Sequence, residues 1–135
     1  MSVGVVVGRF QVDEPHTGHM TMIGGVESRN DRVLICLGVA AVPNTRTNPL
    51  DYGSREVMMR NAFPKALVVP LRDMPDDYKW SEQLDTIIEA LFPLEVAKNE
   101  VTIYGAKTSG VLGHYHGRFK TEILDFVESE NGTKV

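Results

Sequence analysis

Apolar residues fall along this chain in short solid runs and in helically spaced stripes, and the two kinds alternate. Val3 to Val7 is β-branched and nearly all apolar, as a strand buried on both faces of a parallel sheet must be. Met20, Ile23 and Val26 then recur at helical spacing. Gly24 and Gly25 inside that run weaken a helix by roughly 1 kcal/mol each relative to alanine, unless they admit close packing on the sheet. Arg32 to Gly38 reads as a second buried strand, again ending in glycine. Residues 39–53 carry Pro43, Asn44, Asn48, Pro49 and Gly53, which predicts a long loop, a feature usually functional or mobile in a compact domain. Ser54 is a good N-cap for a short helix from Arg55 to Phe63, stopped by Pro64. Ala66 to Leu71 is a third strand. Trp80, Leu84, Ile87, Ile88 and Leu91 form the clearest helical stripe, with Pro93 ending it. Val101 to Tyr104 is a fourth strand that stops at Gly105. Residues 106–118 are glycine-rich and polar, and Thr121 to Glu128 fits a fifth strand.

Strands alternating with helices predict an α/β fold: a doubly wound, Rossmann-like parallel sheet of about five strands with helices on both faces. Its crossovers should be right-handed, and ligands should bind beyond the carboxyl ends of the strands at the switch point. The segments expected there are Gly8-Arg9, Gly38, Asp73 and Gly105-Ala106-Lys107.

Composition narrows this little further. The 135 residues favour one domain over residues 1–135, and 42% hydrophobic with 24% charged residues suits a soluble globular chain. The net charge of -4 argues against nucleic-acid backbone as a partner. No run approaches the ~20 apolar residues that span a bilayer, so no membrane partner is expected. Cys36, the single cysteine, sits in an apolar run, which fits a buried thiol and a cytoplasmic setting.

The chemistry concentrates in Gly8-Arg9-Phe10-Gln11-Val12-Asp13-Glu14-Pro15-His16-Thr17-Gly18-His19. A strand ends in glycine, a polar loop follows, and two histidines stand at the mouth of a helix. Backbone N–H groups and the positive end of a helix dipole then face one spot, a ready anion site. His16 and His19 lack a nearby third metal ligand, so no protein-bound metal is expected. Their imidazole N–H groups suit a phosphate whose charge grows during reaction; a purely structural role is the plainer alternative.

Gly8-Arg9-Phe10-Gln11 followed by His16-Thr17-Gly18-His19 resembles the signature of the HxGH nucleotidyltransferase superfamily, and more narrowly the nicotinamide-mononucleotide adenylyltransferases of the archaeal and Nudix-fused types. Four residues, Val12 to Pro15, stand between Gln11 and His16 where the family usually has two, so a bulged loop is expected here. Arg46-Thr47-Asn48-Pro49-Leu50, with Arg55 and Met58-Met59, resembles the family's Asn-Pro-Phe segment and the helix after it. Asp73, Asp77 and Trp80 match the spacing at which the family lines its nicotinamide-nucleotide pocket. Asp77 stands where archaeal members often have asparagine, a change that bears on the amide or acid form of the ring.

The resemblance implies catalytic roles for His16 and His19. It implies nucleotide contacts for Gly8, Arg9, Phe10, Gln11, Gly18, Gly105, Lys107, Ser109 and Thr133, and acceptor contacts for Arg46, Asn48, Asp73, Asp77 and Trp80. Plainer roles compete: Trp80 as a core residue, Asp73 as an N-cap or turn residue, and Gly105 to Gly110 as a turn. Residues 114–118 are by default a solvated loop, or else a lid whose Arg118 supplies charge near pyrophosphate. Gly132-Thr133-Lys134-Val135 matches the family's second phosphate motif up to its arginine, so a domain lacking its C-terminal helix is expected.

The activity implied is AMP transfer from ATP, accompanied by Mg2+, to nicotinamide mononucleotide, yielding NAD and pyrophosphate. The alternatives are a sister transferase acting on pantetheine phosphate, flavin mononucleotide (FMN) or a CTP-dependent substrate, and a nucleotide-sensing module without turnover. Homo-oligomerisation is left open.

Overall fold

The computed structural model describes residues 1–8, 17–39, 52–106 and 111–124. Five strands, β1 (Val3–Gly8), β2 (Arg32–Val39), β3 (Leu67–Arg72), β4 (Val101–Ala106) and β5 (Lys120–Leu124), pair in parallel in the order β3-β2-β1-β4-β5. Helices α1 (Thr17–Arg29), α2 (Tyr52–Ala62), α3 (Asp77–Leu91) and the short α4 (Pro93–Ala97) connect them, with a 3-10 turn at Val111–His114. This is the Rossmann-like α/β sheet that the alternating pattern predicts.

The solid apolar runs are explained by two cores, one on each face. Successive strand side chains point to opposite faces. Val3, Val5, Val7, Leu34, Cys36, Val101 and Ile103 meet Leu84 and Ile88 of α3 together with Phe92. Val6, Val33, Ile35, Leu37 and Val68 meet Met22, Ile23 and Val26 of α1 and Met59 of α2. Each fully buried aliphatic side chain contributes about 1.5–3 kcal/mol by leaving water. Gly4 has a specific task here: a Cβ on it would lie 2.4 Å from Val26 Cγ1, so only glycine lets α1 come this close to β1. With α1 and α2 on one face and α3 on the other, the chain steps outward from β1 to β3. It then returns across the opposite face to β4, as crossovers of constant hand require.

Several boundaries differ from expectation. The long loop is shorter than 39–53, because Val39 is still in β2 and Tyr52 and Gly53 belong to α2. Ser54 therefore lies inside the first turn of α2 and is not its N-cap. Helix α3 starts at Asp77, and its cap is Asp76, whose Oδ1 accepts from the N–H groups of Tyr78 at 2.8 Å and Lys79 at 3.3 Å. Helix α3 ends at Leu91, just before Pro93, as expected. Pro93 opens α4 at a position where a missing N–H costs nothing. Leu91 is 41% exposed, since the apolar stripe of α3 passes through Leu84, Ile88 and then Phe92. Gly24 admits no close contact either, because a Cβ there would meet nothing within 4 Å. The expected extension of the fifth strand to Glu128 falls outside the described residues.

Candidate active site

Strand order puts the switch point between β1 and β4, and the register opens it. Strand β1 pairs with β2 as far as Gly8↔Leu37, and β4 pairs with β5 as far as Ala106↔Leu124. Among the described residues, β1 and β4 pair only from Val3↔Val101 to Val6↔Tyr104. The two central strands thus part at their carboxyl ends, where crevices of such sheets hold ligands. Gly8 ends β1 on one side of that opening, and Gly105 and Ala106 end β4 on the other. A Cβ on Gly105 would lie 2.7 Å from Leu112 Cγ, so its glycine lets the 3-10 turn close over the end of β4. Helix α1 begins at Thr17, placing Gly18 and His19 in its first turn.

The neighbouring rim is built by β2, β3 and α3. The Asp73 N–H donates to the Val39 carbonyl at 2.8 Å, joining the ends of β2 and β3. Gln83 of α3 reaches the same corner. Its Oε1 accepts from the Arg72 N–H and its Nε2 donates to the Arg72 carbonyl, both at 3.0 Å. One side-chain amide thereby satisfies both backbone groups of an edge-strand residue. Behind this corner the buried Arg55 of α2 donates from Nη1 to the Gly38 carbonyl at 2.6 Å. With these ties, the turn that carries Asp73 and leads into the Asp76 cap is held in place. Asp77 and Trp80 then stand three residues apart in the first turn of α3 and share a face. Trp80 is half-buried and packs against the core that contains Leu84 and Ile88. A core role and an exposed aromatic edge therefore coexist in Trp80.

The segment from His114 to Phe119 is a strap laid along α3. Four residues at successive helical turns receive it: Asp77, Ser81, Asp85 and Glu89. His114 Nδ1 lies 3.2 Å from Asp77 Oδ2. The His116 N–H donates to Ser81 Oγ at 2.8 Å, and His116 stacks on Tyr78 with ring centroids 4.8 Å apart. The buried Tyr115 hydroxyl donates to Asp85 Oδ1, and the Arg118 N–H donates to Asp85 Oδ2 at 3.0 Å. Arg118 Nη1 pairs with Glu89 Oε2. Burial first, then donation to Asp85, pushes the Tyr115 hydroxyl above its ordinary pKa. A Cβ on Gly117 would lie 2.5 Å from Asp85 Oδ2, so the strap lies tight on the helix at that point.

Residues 114–118 keep the exposure of the expected solvated loop at His114, His116, Gly117 and Arg118, while Tyr115 is buried and hydrogen bonds tie the segment to α3. Arg118 pairs with Glu89, and twelve residues separate Asp77 from Glu89, about 18 Å along the helix, on the side away from the rim. His114 is the strap residue that does reach the rim.

Of the residues singled out from sequence, Gly8, Gly18, His19 and Gly105 lie at the switch point. Asp73, Asp77 and Trp80 lie on the adjoining rim. Arg9, Phe10, Gln11, His16, Arg46, Asn48, Lys107, Ser109 and Thr133 lie outside the described residues, and for His19 only the backbone is described. Sequence reasoning named Arg55 only as part of the segment after Asn48-Pro49, and missed Gln83 and the Asp77-Ser81-Asp85-Glu89 ladder. That ladder was signalled by its i, i+4 spacing beside the apolar stripe. Among the described residues, no group of three or more His, Cys, Asp or Glu could hold a metal ion, and no helix is long and apolar enough to cross a membrane.

No protein-family model matches the chain. The chain is 28% identical over 117 residues to a nicotinamide-nucleotide adenylyltransferase of Saccharolobus solfataricus, covering 82% of this chain and 66% of that protein. It is 28% identical over 131 residues to the protein of the same name from Pyrococcus horikoshii, covering 93% and 69%. Other curated relatives of that name match over only about half of their length. Among solved structures, a bifunctional NMN adenylyltransferase/ADP ribose pyrophosphatase from Francisella tularensis superposes with a TM-score of 0.71 at 20% identity, over 96% of this chain and 40% of that one. The fold agrees with that of the superposed structure, and the chain is similar in sequence to archaeal proteins named nicotinamide-nucleotide adenylyltransferase.

Proposed function

We propose that this chain carries the adenylyl-transfer site of an enzyme that joins the AMP part of ATP to nicotinamide mononucleotide. The observation that carries the reading is the parting of β1 and β4 beyond Val6 and Tyr104, with α1 starting beside it and Asp73, Asp77 and Trp80 on the adjoining rim. In the reaction, an oxygen of the mononucleotide phosphate bonds to the α-phosphorus of ATP. The bond from that phosphorus to the oxygen bridging to the β-phosphate breaks, and pyrophosphate leaves with the electron pair. No proton need be removed from an ionised phosphate, so the protein's work is positioning and charge stabilisation.

In this reading His16 and His19 donate to the phosphates, and the N-terminus of α1 adds the helix dipole. Gly8, Arg9, Phe10, Gln11, Gly18, Gly105, Lys107, Ser109 and Thr133 hold ATP, while Arg46, Asn48, Asp73, Asp77 and Trp80 hold the acceptor. Mg2+ arrives with ATP and neutralises phosphate charge.

The test is pyrophosphate release, measured with ATP or CTP against nicotinamide mononucleotide, nicotinic acid mononucleotide, pantetheine phosphate and FMN. Release with ATP and a pyridine mononucleotide is expected. Release only with another acceptor would replace the reading with a sister transferase, and tight ATP or NAD binding without turnover would replace it with a sensing module.

A further inference from the structure

The strap delivers His114, a residue outside the Gly8 to His19 motif and the Asp73-Asp77-Trp80 set, to the acceptor rim. Its role rests on the acceptor reading of Asp77 and Trp80. We propose that His114 is a positioning residue that fixes the Asp77 carboxylate beside Trp80 and thereby makes the pocket select the amide form of a pyridine mononucleotide over the acid form. His114 ends the 3-10 turn, and its backbone is held from both sides. Leu112 fills the space beside Gly105, and Ser81 Oγ, which donates to the Asp77 carbonyl at 2.7 Å, accepts from the His116 N–H at 2.8 Å. Tyr115, the next residue, is buried and committed to Asp85. The imidazole is therefore presented to Asp77 from a segment anchored at Tyr115 and His116.

The His114–Asp77 contact of 3.2 Å holds one carboxylate oxygen, while the two side chains stay 68% and 41% exposed, within reach of a ligand at the rim. Asp77 is in direct contact with His114, and the neighbouring His116 stacks on Tyr78. A fixed carboxylate beside the ring site favours a cationic pyridinium, accepts from an amide N–H, and repels a ring carboxylate. Without His114 the Asp77 side chain is free to swing into solvent, where its charge is screened and its direction lost.

The experiment compares kcat/KM for nicotinamide mononucleotide with kcat/KM for nicotinic acid mononucleotide. The proteins are the unmodified chain, H114A, H114N, D77A and the double variant D77A/H114A. H114A should lower the amide-to-acid ratio about two- to fivefold, the range an exposed charged pair supports, through the acceptor KM and without moving the KM for ATP. H114N, whose amide N–H can stand in for Nδ1–H, should keep most of the ratio. In the D77A background, H114A should change nothing further. An unchanged ratio in H114A, or an equal drop in the D77A background, overturns the proposal while leaving the acceptor reading intact. Turnover with neither acceptor overturns both. Thermal unfolding of each variant, followed in parallel, separates a lost fold from a lost preference.

Discussion

Tyr115 and Asp85 hold the β4–β5 connection to α3: the buried hydroxyl donates to one carboxylate oxygen while the backbone N–H of Arg118 takes the other. The Phe119 N–H completes the arrangement by donating to the Tyr115 oxygen at 3.0 Å. Replacing Tyr115 by phenylalanine leaves both the Phe119 N–H and one Asp85 oxygen short of a partner. Y115F should therefore cost about 1–3 kcal/mol in urea unfolding at neutral pH. The folded state also favours the neutral hydroxyl, raising its pKa. That stabilisation is complete below the ordinary tyrosine pKa and is lost as pH rises above it. The gap between the unmodified protein and Y115F should accordingly narrow in strongly alkaline solution; a constant gap across that range would contradict the assignment.

Cys36 lies in the core facing α3, and burial pushes its thiol up to about 12. Because the thiolate is the reactive form, a thiol reagent at pH 8 should leave the native protein unlabelled by mass spectrometry and label it fully in denaturant. The pH sign is the same as for Tyr115. Below the ordinary thiol range both states are neutral. Above it only the unfolded thiol ionises, so stability falls as pH climbs toward 12.

The sheet was legible in the sequence because strands buried on both faces must be solid apolar runs, and Val3 to Val7 and Arg32 to Gly38 are such runs. Helix ends were less legible. Asp76 and Ser54 are both good capping residues, and only packing decides that the first caps α3 while the second sits inside α2. The strap was illegible as a fixed element. His114, Tyr115, His116 and Arg118 are polar or amphipathic, and their partners lie roughly thirty residues earlier in the chain. No local pattern marks a polar loop as docked when the docking uses a carboxylate ladder on a distant helix. Asp73, Asp77 and Trp80, by contrast, were singled out by resemblance to a family motif that lies within one turn-and-helix unit, which the fold keeps together.

Gly24 stands inside α1 with open space where a Cβ would go. Alanine there gains helix propensity and loses freedom only in the unfolded chain. G24A should raise stability by about 0.5–1 kcal/mol, read as a higher denaturant midpoint with an unchanged slope. A lower midpoint would mean that α1 needs glycine for a contact at this position.

His19 lies in the first turn of α1, next to the opening between β1 and β4. If it donates to phosphate in the transition state, H19A should lower turnover more than tenfold, in line with the loss of one such donor. The circular dichroism spectrum and unfolding midpoint should stay near those of the unmodified protein. Full activity in H19A would remove the residue from the proposed mechanism.

Trp80 offers the sharpest separation of binding from packing. Its half-buried ring leans on the core of α3 while its turn also presents Asp77 at the rim. An indole face stacked on a cationic pyridinium is worth about 0.5–2 kcal/mol, so W80A should raise the acceptor KM about two- to thirtyfold while the KM for ATP stays put. Loss of the packed part of the ring should lower stability at the same time, because large aromatic truncations leave cavities. W80F separates the two effects: it restores most of the packing and part of the stacking. Its stability should return close to that of the unmodified protein while its acceptor KM stays intermediate. Equal rises in both KM values for W80A and W80F would instead identify Trp80 as a core residue alone.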